Sequence, residues 1–502
     1  MRQLLRAPNA LNDSRVYGSE RLKMKAVVFD PAPFRLFKCA HIIYGVLFLT
    51  LSGCLTAPVY TLPVAPEPLP CLTSFQSEDL AIGLAVSGGG SRAALFAAGA
   101  FESLAKLRVG ADQKGLLDQV SYISSVSGGS LASAYYVLKK PSRDVTMLDQ
   151  QGELTQGYRE FFAGFKEAMA QNYEGPLLRR NLLLWRWVNP AFVAKSLAEI
   201  LAEDYLGPKT FGELREREVQ RDVPRLMINT TLYNDGRRLL LSTLPREDLR
   251  YDWSEAIARV PNERIPPDYA AGIRKRGEAL DTVTPQDLHL NICDTKVAGA
   301  VAGSMSFPPI IGPISLTDEK EQQYWHVGDG GMSDNTGGES LLWMMLGKMQ
   351  RGSLRRSLII LIDSSFPFEV GGEQLNQRKD AFSIFNYDYS RIPSIMEERS
   401  LAYRALFLMV AQQLGAVPGP DRIRIVRLRH TDAQWAEDLS DIPESCKKEK
   451  VNWKSPKDVG HRLAGVVTRL WLESTCDQDL VLTAAAKVVK QNEGNIKAFL
   501  AR

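Results

Sequence analysis

The sequence predicts an α/β fold in three layers (α/β/α), with a mostly parallel central sheet. Ala81 to Val86, Val120 to Ile123 and Tyr324 to Val327 are strand-like runs, and each leads into a turn rich in small residues. The run from Leu358 to Asp363 is apolar almost throughout, which is typical of a strand covered on both faces. Because such strands alternate with helical segments, we expect functional loops at the strand ends.

Composition sets broad limits on this fold. The chain has 502 residues, of which 45% are hydrophobic and 24% charged, as in an ordinary globular protein of one large domain with additions or of two domains. The net charge of +3 is too close to neutral to indicate a nucleic-acid partner. No C-x-x-C motif or histidine cluster suggests a metal, and no cofactor is expected.

The N-terminus resembles a secretory signal, predicted over residues 1–53 with Met24 as a possible true start. Basic residues precede the apolar run from Ile42 to Leu51, which is short for a membrane-spanning helix. The run ends in the letters LSGC, which resemble a bacterial lipoprotein box and predict a lipid on Cys54. Leu55 after that cysteine is typical of the outer-membrane-directed type. An uncleaved anchor helix is the alternative.

Residues 54–75 are rich in proline, so this segment should stay extended. It is either a tether between the lipid and the folded body or an arm on the domain surface. In an oxidising compartment a pair such as Cys446 and Cys476 could form a disulfide. Cys71 and Cys293 are the other candidates, and the sequence does not assign the pairing.

The letters SVSGG, Ser125 to Gly129, stand between a predicted strand and a predicted helix. In a nucleophile elbow a serine lies at the apex of such a turn, with small residues two before and two after it. Ser127 has that position, followed by Gly128 and Gly129, although Ser125 replaces the usual first glycine. An ordinary Ser/Gly turn is the alternative.

A second turn, SGGGSR, begins a helix. The backbone N–H groups of Gly88, Gly89 and Gly90 there would form an anion site, for a phosphate or for the oxyanion of an acyl-transfer intermediate. The nucleotide interpretation is weak, because no Lys-Ser/Thr pair follows and Ala93 stands where G-x-G-x-x-G has its last glycine. Arg92 could contact a phosphate, order the loop, or lie on the helix surface.

A third turn carries Asp329, followed by Gly330 and Gly331, after the strand-like letters YWHV. Flanking glycines let another backbone approach the carboxylate closely. On its own the motif is also compatible with a hairpin turn.

Together the motifs GGGSR, SVSGG and DGG, in this order and spacing, resemble those of the patatin-like phospholipases. The segment from Ala298 to Pro309 resembles that family's small-residue segment, and the resemblance covers about residues 80–365. It implies that Ser127 is the nucleophile and Asp329 a general base that acts without histidine. It also implies that the amides of Gly88, Gly89 and Gly90 hold the oxyanion.

A Ser-Asp-His triad is the alternative chemistry, and it would place a late histidine in the site. His430 and His461 are the candidates, but neither lies beside a glycine-rich strand end, so both are interpreted as structural. His326 is interpreted as a partly buried neighbour of Asp329.

The domain prediction places a catalytic domain at residues 76–370, with an insertion at about 140–222, and a mainly helical extension at 371–502. Helical patterns cover 395–414, 461–475 and 480–502, and a strand-like stretch covers Arg422 to Arg427. In the insertion, Arg179 to Trp187 mixes arginine, tryptophan and leucine. That stretch could lie in a membrane interface or could be a core helix.

The prediction is therefore a lipid-anchored serine acyl hydrolase of the bacterial envelope, facing the periplasm from the outer membrane. Its substrates would be phospholipids or related acyl esters, cleaved through an acyl-enzyme. The alternative is a catalytically inactive envelope scaffold or lipid-binding protein, which the departure at Ser125 favours. The sequence predicts no oligomeric state.

Overall fold

The structure is a computed structural model. It describes residues 59–61, 69–74, 77–110, 113–182, 190–258, 268, 271–272, 281–308, 311–318, 323–365, 391–449 and 453–501. These residues lie within one compact unit, Ala57–Arg502. Among them, no helix has the length and apolarity that crossing a bilayer requires.

The central sheet contains nine of the described strands, in the order β1-β8-β9-β6-β5-β2-β10-β11, with β7 paired to β6. The run from β6 to β11 is parallel, whereas β9 is antiparallel to both of its neighbours. A small hairpin, β3 with β4, lies apart. The strands are β1 (Val59–Thr61), β2 (Glu78–Val86), β3 (Arg108–Val109), β4 (Lys114–Gly115), β5 (Val120–Val126), β6 (Arg225–Leu232), β7 (Arg238–Ser242), β8 (Ile314–Thr317), β9 (Tyr324–Asp329), β10 (Leu354–Asp363) and β11 (Ile423–Arg429).

Helices cover both faces of the sheet, which gives the three layers that the sequence predicts. Where β2 ends a helix begins at Gly90, and where β5 ends another begins at Gly128. The described α-helices are α1 (Gly90–Lys106), α2 (Gly128–Lys139), α3 (Gln156–Ala170), α4 (Glu174–Arg180), α5 (Ala191–Ile200), α6 (Phe211–Val219), α7 (Arg246–Leu249), α8 (Trp253–Ala258), α9 (Val297–Ser304), α10 (Gly331–Asp334), α11 (Gly338–Gln350), α12 (Arg391–Gln413), α13 (Glu444–Lys448), α14 (Pro456–Gly465) and α15 (Thr475–Leu500).

Two apolar cores lie on opposite sides of the sheet. On one side, α1, α2, α9 and α15 bury residues such as Phe96 and Phe101. On the other, α11 packs residues such as Leu341 and Met345 against the strands. Alternating residues of β2 contribute to the two cores, Leu84 to the first and Ala85 to the second, as expected for a strand buried on both faces.

The register of three strands brings the predicted site residues to one edge of the sheet. Val126, the last residue of β5, pairs with Asn229 on β6. The next residue of β6, Thr230, pairs with Asp329 at the end of β9. Because β7 pairs with the opposite edge of β6, β5 and β9 lie end to end along the same edge of β6. Ser127, which follows Val126, and Asp329, which ends β9, are therefore brought together where the two strands meet.

The predicted proline-rich tether is structured in part. Val59–Thr61 forms an edge strand parallel to β8, which matches the alternative of an arm on the domain surface. Farther along, Cys71 is bonded to Cys293, and a second disulfide joins Cys446 to Cys476. The first bond ties the segment before β2 to the region before α9.

The helix predicted over residues 461–475 is wrong for most of its length. α14 ends at Gly465, and residues 466–474 have no regular secondary structure. The backbone leaves the helix because its carbonyls serve other partners: Val466 O accepts from Arg92, and Arg469 O accepts from the Ser91 N–H at 2.8 Å. The segment thus lies against the start of α1.

The proposed membrane-interface stretch is described only at its start. Arg180 ends α4 and forms ion pairs with Glu199 and Glu203, so its charge is already engaged within the protein. Trp185, Arg186 and Trp187 lie outside the described residues.

Candidate active site

Ser127 lies at the sharp turn between β5 and α2. Its backbone has φ 51° and ψ −123°, a region that L-residues seldom adopt. Such strain persists only where surrounding contacts hold it. Here the Ser127 N–H donates to Ser304 Oγ at 2.8 Å. The side chain is half-buried, so its hydroxyl lies at the edge of the core, as a nucleophile elbow requires.

Ser304 and Asn229 support this turn, and sequence reasoning assigned neither of them a role. Ser304 Oγ donates to the Asn229 carbonyl at 2.6 Å, which links the end of α9 to β6. The Asn229 amide donates to Ser124 Oγ and to the Ser125 carbonyl, both at 2.9 Å. These bonds fix the end of β5 against β6. Ser304 could have been suspected, since it lies in the small-residue segment that resembles the family.

Asp329 ends β9 with its side chain buried; the residue is 4% exposed. Its carboxylate accepts the Gly331 N–H at 2.7 Å. Burial raises the pKa of Asp329 to about 6, although the Gly331 N–H and the nearby Ser127 side chain partly oppose the rise. The carboxylate is therefore ionised at neutral pH and is more basic than an exposed aspartate.

Gly88 lies directly beside Ser127. A Cβ atom at Gly88 would lie 3.3 Å from Ser127 Cβ and would overlap Asn335 Oδ1, so only glycine fits. The Gly88 N–H donates to the Asn335 carbonyl at 2.8 Å. The Gly88 N–H is consequently not free to bind an oxyanion. Of the three predicted donors, Gly89 and Gly90 remain.

Gly89 and Gly90 complete the loop before α1. Gly89 has φ 139°, which strongly favours glycine. Within the described ranges, neither amide has a hydrogen-bond acceptor, as expected for the first N–H groups of a helix. A Cβ atom at Gly128 would collide with the Gly90 carbonyl, so the elbow and the glycine loop are in direct contact. Of the three glycines of this loop, Gly89 and Gly90 therefore keep N–H groups that could act as donors.

The remaining predicted glycines allow close packing of backbones. A Cβ atom at Gly129 would lie 2.5 Å from the Ser87 carbonyl, and one at Gly330 would collide with the Asn229 carbonyl. Gly331 supplies the N–H that holds Asp329. Side chains at these positions would push the elbow, the glycine loop and the aspartate turn apart.

Arg92 is fully buried, so a position on the helix surface is wrong. Its guanidinium donates to the Ser364 carbonyl at 3.1 and 2.9 Å, to the Val466 carbonyl, and to Thr468 Oγ1 at 3.2 Å. Burial lowers the pKa of Arg92 to about 10, which leaves it protonated at neutral pH. The side chain joins α1 to the end of β10 and to the segment after α14. These contacts agree with the predicted role of Arg92 in ordering the loop.

Among the described residues, none of the three candidate histidines forms a hydrogen bond with Ser127. His430 is buried against Phe96, with ring centroids 5.9 Å apart, and burial lowers its pKa to about 3. His461 is exposed on α14. His326 is exposed rather than partly buried, and because it lies three residues before Asp329 on β9, the two side chains point to opposite faces of the sheet.

Glu397 is a second carboxyl group near the site that sequence reasoning missed. The Asn335 amide donates to Glu397 at 3.0 Å, and Asn335 also holds Gly88. Burial, together with the nearby Asp363, raises the pKa of Glu397 to about 7. Nothing local in the sequence marks this residue, since it stands in an ordinary charged stretch of α12. It connects α12 to the glycine loop.

The arrangement suits acyl transfer. A serine at a strained strand-to-helix turn and a buried carboxyl group lie at adjoining strand ends. The glycine loop that contacts this turn has two N–H groups without an acceptor among the described residues, and these are the parts that ester cleavage needs. The fold and this geometry define the class of α/β proteins with a nucleophile elbow. Within that class, the chain belongs to the patatin-like phospholipase family, whose model matches residues 84–342.

Comparison with solved structures returns proteins of low sequence identity. Human GIVD cytosolic phospholipase A2 is 12% identical with a TM-score of 0.42, and the match covers 84% of this chain and 60% of that one. VipD from Legionella pneumophila is 12% identical with a TM-score of 0.31, and 89% and 73% are covered. This chain therefore spans less than two thirds of the human protein. A search of curated proteins found no match.

Proposed function

We propose that this protein is a serine acyl hydrolase that cleaves acyl esters of phospholipids or related lipids through Ser127 and Asp329. The observation that carries the proposal is that Ser127, held at φ 51°, and the buried carboxyl group of Asp329 lie at adjoining strand ends beside β6. Backbone strain of this kind costs free energy, and it is found mainly at functional sites. Membership of the patatin-like phospholipase family supports a lipid ester as substrate.

In the first half of the reaction, the Asp329 carboxylate takes the proton of Ser127 as Oγ attacks the ester carbonyl carbon. The negative charge that develops on the carbonyl oxygen is stabilised by the N–H groups of Gly89 and Gly90. One such donor typically contributes about a hundred- to a thousandfold in rate. When the tetrahedral intermediate collapses, the alcohol leaves with the proton from Asp329, and the acyl group stays on Ser127.

In the second half, water attacks the acyl-enzyme. Asp329 accepts a proton from this water, so that the same carboxylate serves both steps. The second tetrahedral intermediate uses the same amides. Its collapse returns the proton to Ser127 Oγ and releases the carboxylic acid.

The surroundings of the site favour a substrate that is presented by a membrane. α12 is linked to the site by the bond between Asn335 and Glu397 and by the ion pair of Arg404 with Asp334. Its outer side is largely apolar, which suits contact with a lipid interface. The exposed apolar residues of α12 are Ile395, Met396, Tyr403, Leu406, Phe407, Met409 and Val410.

We also propose that the protein acts in a bacterial envelope, anchored by a lipid on Cys54. The support is the LSGC sequence directly after an apolar run and a basic segment. Replacing Cys54 with alanine should move the protein from the membrane fraction to the soluble fraction, because the attached chains supply the anchor. Cys39→Ala is the matched control and should stay in the membrane. Unchanged membrane recovery of the Cys54 variant would rule out this anchor.

A fluorophosphonate probe tests the proposed activity directly, since it reacts covalently with an activated serine. We expect labelling at Ser127, located by peptide mass spectrometry, together with release of fatty acid from mixed phospholipid vesicles. A folded protein that takes up no probe and releases no fatty acid would instead be the inactive scaffold. Labelling at another serine would show that the nucleophile has been misassigned.

A further inference from the structure

An apolar cavity of about 60 Å³ lies between α9 and the edge of the sheet formed by β7, β8 and β9. Its walls include Leu239, Leu290 and Val327, and the helix α9 faces it with Gly299 and Gly303. The lining presents almost no polar surface. An apolar lining of this kind offers no hydrogen bonds to water and is suited to hydrocarbon.

The cavity is next to the catalytic residues along two elements. Val327 and Asp329 are two residues apart on β9, so their side chains lie on the same face of the sheet, about 6.5 Å apart along the strand. On α9, Gly303 directly precedes Ser304, whose hydroxyl accepts the Ser127 N–H at 2.8 Å. On both elements, a residue that lines the cavity is therefore within two residues of one that forms the catalytic pair or holds the Ser127 turn.

Two glycines keep the space open. A Cβ atom at Gly299 would meet no atom within 4 Å, and one at Gly303 would have its nearest neighbour at 3.6 Å. Glycine inside a helix is less stable than alanine, and neither position needs glycine for close approach. Packing alone would thus favour alanine at both positions. A ligand that occupies this space would explain why both positions are glycine.

We propose that this cavity binds the distal carbons of the acyl chain of the ester that reacts at Ser127. The inference rests on the proposed acyl hydrolase function and adds the acyl specificity of that site. An apolar cavity of about 150 Å³ accepts benzene, so the smaller space here admits only a short piece of a slender chain. Each methylene moved from water into it favours binding by about fourfold. The enzyme should therefore select its ester substrates by the length of their acyl chain.

Gly299→Leu is the variant that fills the cavity, and Gly460→Leu on α14 is its matched control, since a Cβ at Gly460 also meets nothing within 4 Å. We measure kcat/KM on p-nitrophenyl esters from acetate to palmitate. Gly299→Leu should lower kcat/KM by about tenfold or more for esters whose chains reach the cavity, with the acetate ester unchanged. The control should leave the whole series unchanged. An equal loss on acetate, or no loss on long chains, overturns the proposal.

A binding measurement separates this proposal from the proposed activity. In a Ser127→Ala background, which cannot turn over substrate, we titrate laurate and follow the melting temperature. Laurate should stabilise the parent and the Gly460→Leu variant but not the Gly299→Leu variant. Equal stabilisation of all three would overturn the cavity assignment even if the enzyme is active. Gly299→Ala, which adds a single methyl group in open space, serves if the leucine variant does not fold, and should weaken laurate binding by a smaller factor.

Discussion

Ser127→Ala is expected to lower kcat for ester cleavage by about 10⁴- to 10⁶-fold, the range seen when a nucleophile that acts through a covalent intermediate is removed. Alanine keeps the backbone and removes only Oγ, so Asp329 has no hydroxyl to deprotonate. The measurement is fatty-acid release from phospholipid vesicles together with fluorophosphonate labelling. Both signals should disappear while circular dichroism stays unchanged.

Ser133→Ala is the matched control for this prediction. Ser133 lies on α2 two turns from the elbow, is buried, and its hydroxyl has no hydrogen-bond partner among the described residues. Its removal should leave activity intact. Full activity of a folded Ser127→Ala protein would exclude Ser127 as the nucleophile.

Ser127→Gly adds a test of the strained backbone. Glycine tolerates φ 51° without a side-chain clash. The free energy of unfolding of this variant should therefore be about 1 kcal/mol larger than that of Ser127→Ala. Both variants should be equally inactive. Chemical denaturation of the two proteins measures the difference, which reports strain at the turn separately from catalysis.

The parallel part of the fold was predictable because its signals are local. β2, β5 and β10 are apolar runs whose length and β-branched content indicate buried strands, and small-residue turns mark their ends. Ser127 could be identified from the same signals, since an elbow needs a serine between small residues at a strand-to-helix junction. The observed bounds extend the predicted strands by a few residues, as is usual for strand ends.

Other features depend on contacts between distant parts of the chain, which no local pattern encodes. The segment after Gly465 has helical periodicity, but its carbonyls bind Arg92 and the start of α1, and these tertiary bonds prevail over propensity. The sequence left the position of Arg92 open between the site, the loop and the helix surface, and full burial of an arginine is uncommon. Glu397 gains its raised pKa only from the elements that α12 packs against.

The proposed pairing of Ser127 with Asp329 was predictable only in part. The resemblance of three short motifs to one family suggested it, although residue spacing could not prove it. The register of β6 with β5 and β9 provides the physical reason, because it aligns the ends of strands that are about two hundred residues apart in sequence. The bond from the Gly88 N–H to the Asn335 carbonyl, which leaves Gly89 and Gly90 as the proposed oxyanion donors, could not be predicted from the sequence.

Asp329→Asn is expected to lower kcat by about 10⁴-fold and to stabilise the fold. The amide keeps the shape and can still accept the Gly331 N–H, but it is not a base, and losses of this size follow when a catalytic carboxylate becomes an amide. In the wild type, kcat/KM should fall about tenfold per pH unit below pH 6, since the pKa of Asp329 is about 6 and only its ionised form accepts the serine proton.

The stability effect has a definite pH dependence. Burial raises the pKa of Asp329 from 3.8 to about 6, so the folded state holds its proton more tightly than the unfolded state does. Below about pH 4 both states are protonated and no penalty exists. As pH rises towards 6 only the unfolded chain ionises, and above about 6 the fold carries the full cost of a buried charge, roughly 3 kcal/mol.

Asparagine at this position carries no such cost. The melting temperature of Asp329→Asn should therefore exceed that of the wild type at neutral pH, and the difference should vanish below about pH 4. A residue with a purely structural role would lose stability and activity together on substitution. Loss of activity with a gain in stability that disappears on acidification is thus specific to a buried, ionised base. Retained activity, or a stability difference that does not vary with pH, would contradict the assignment of Asp329.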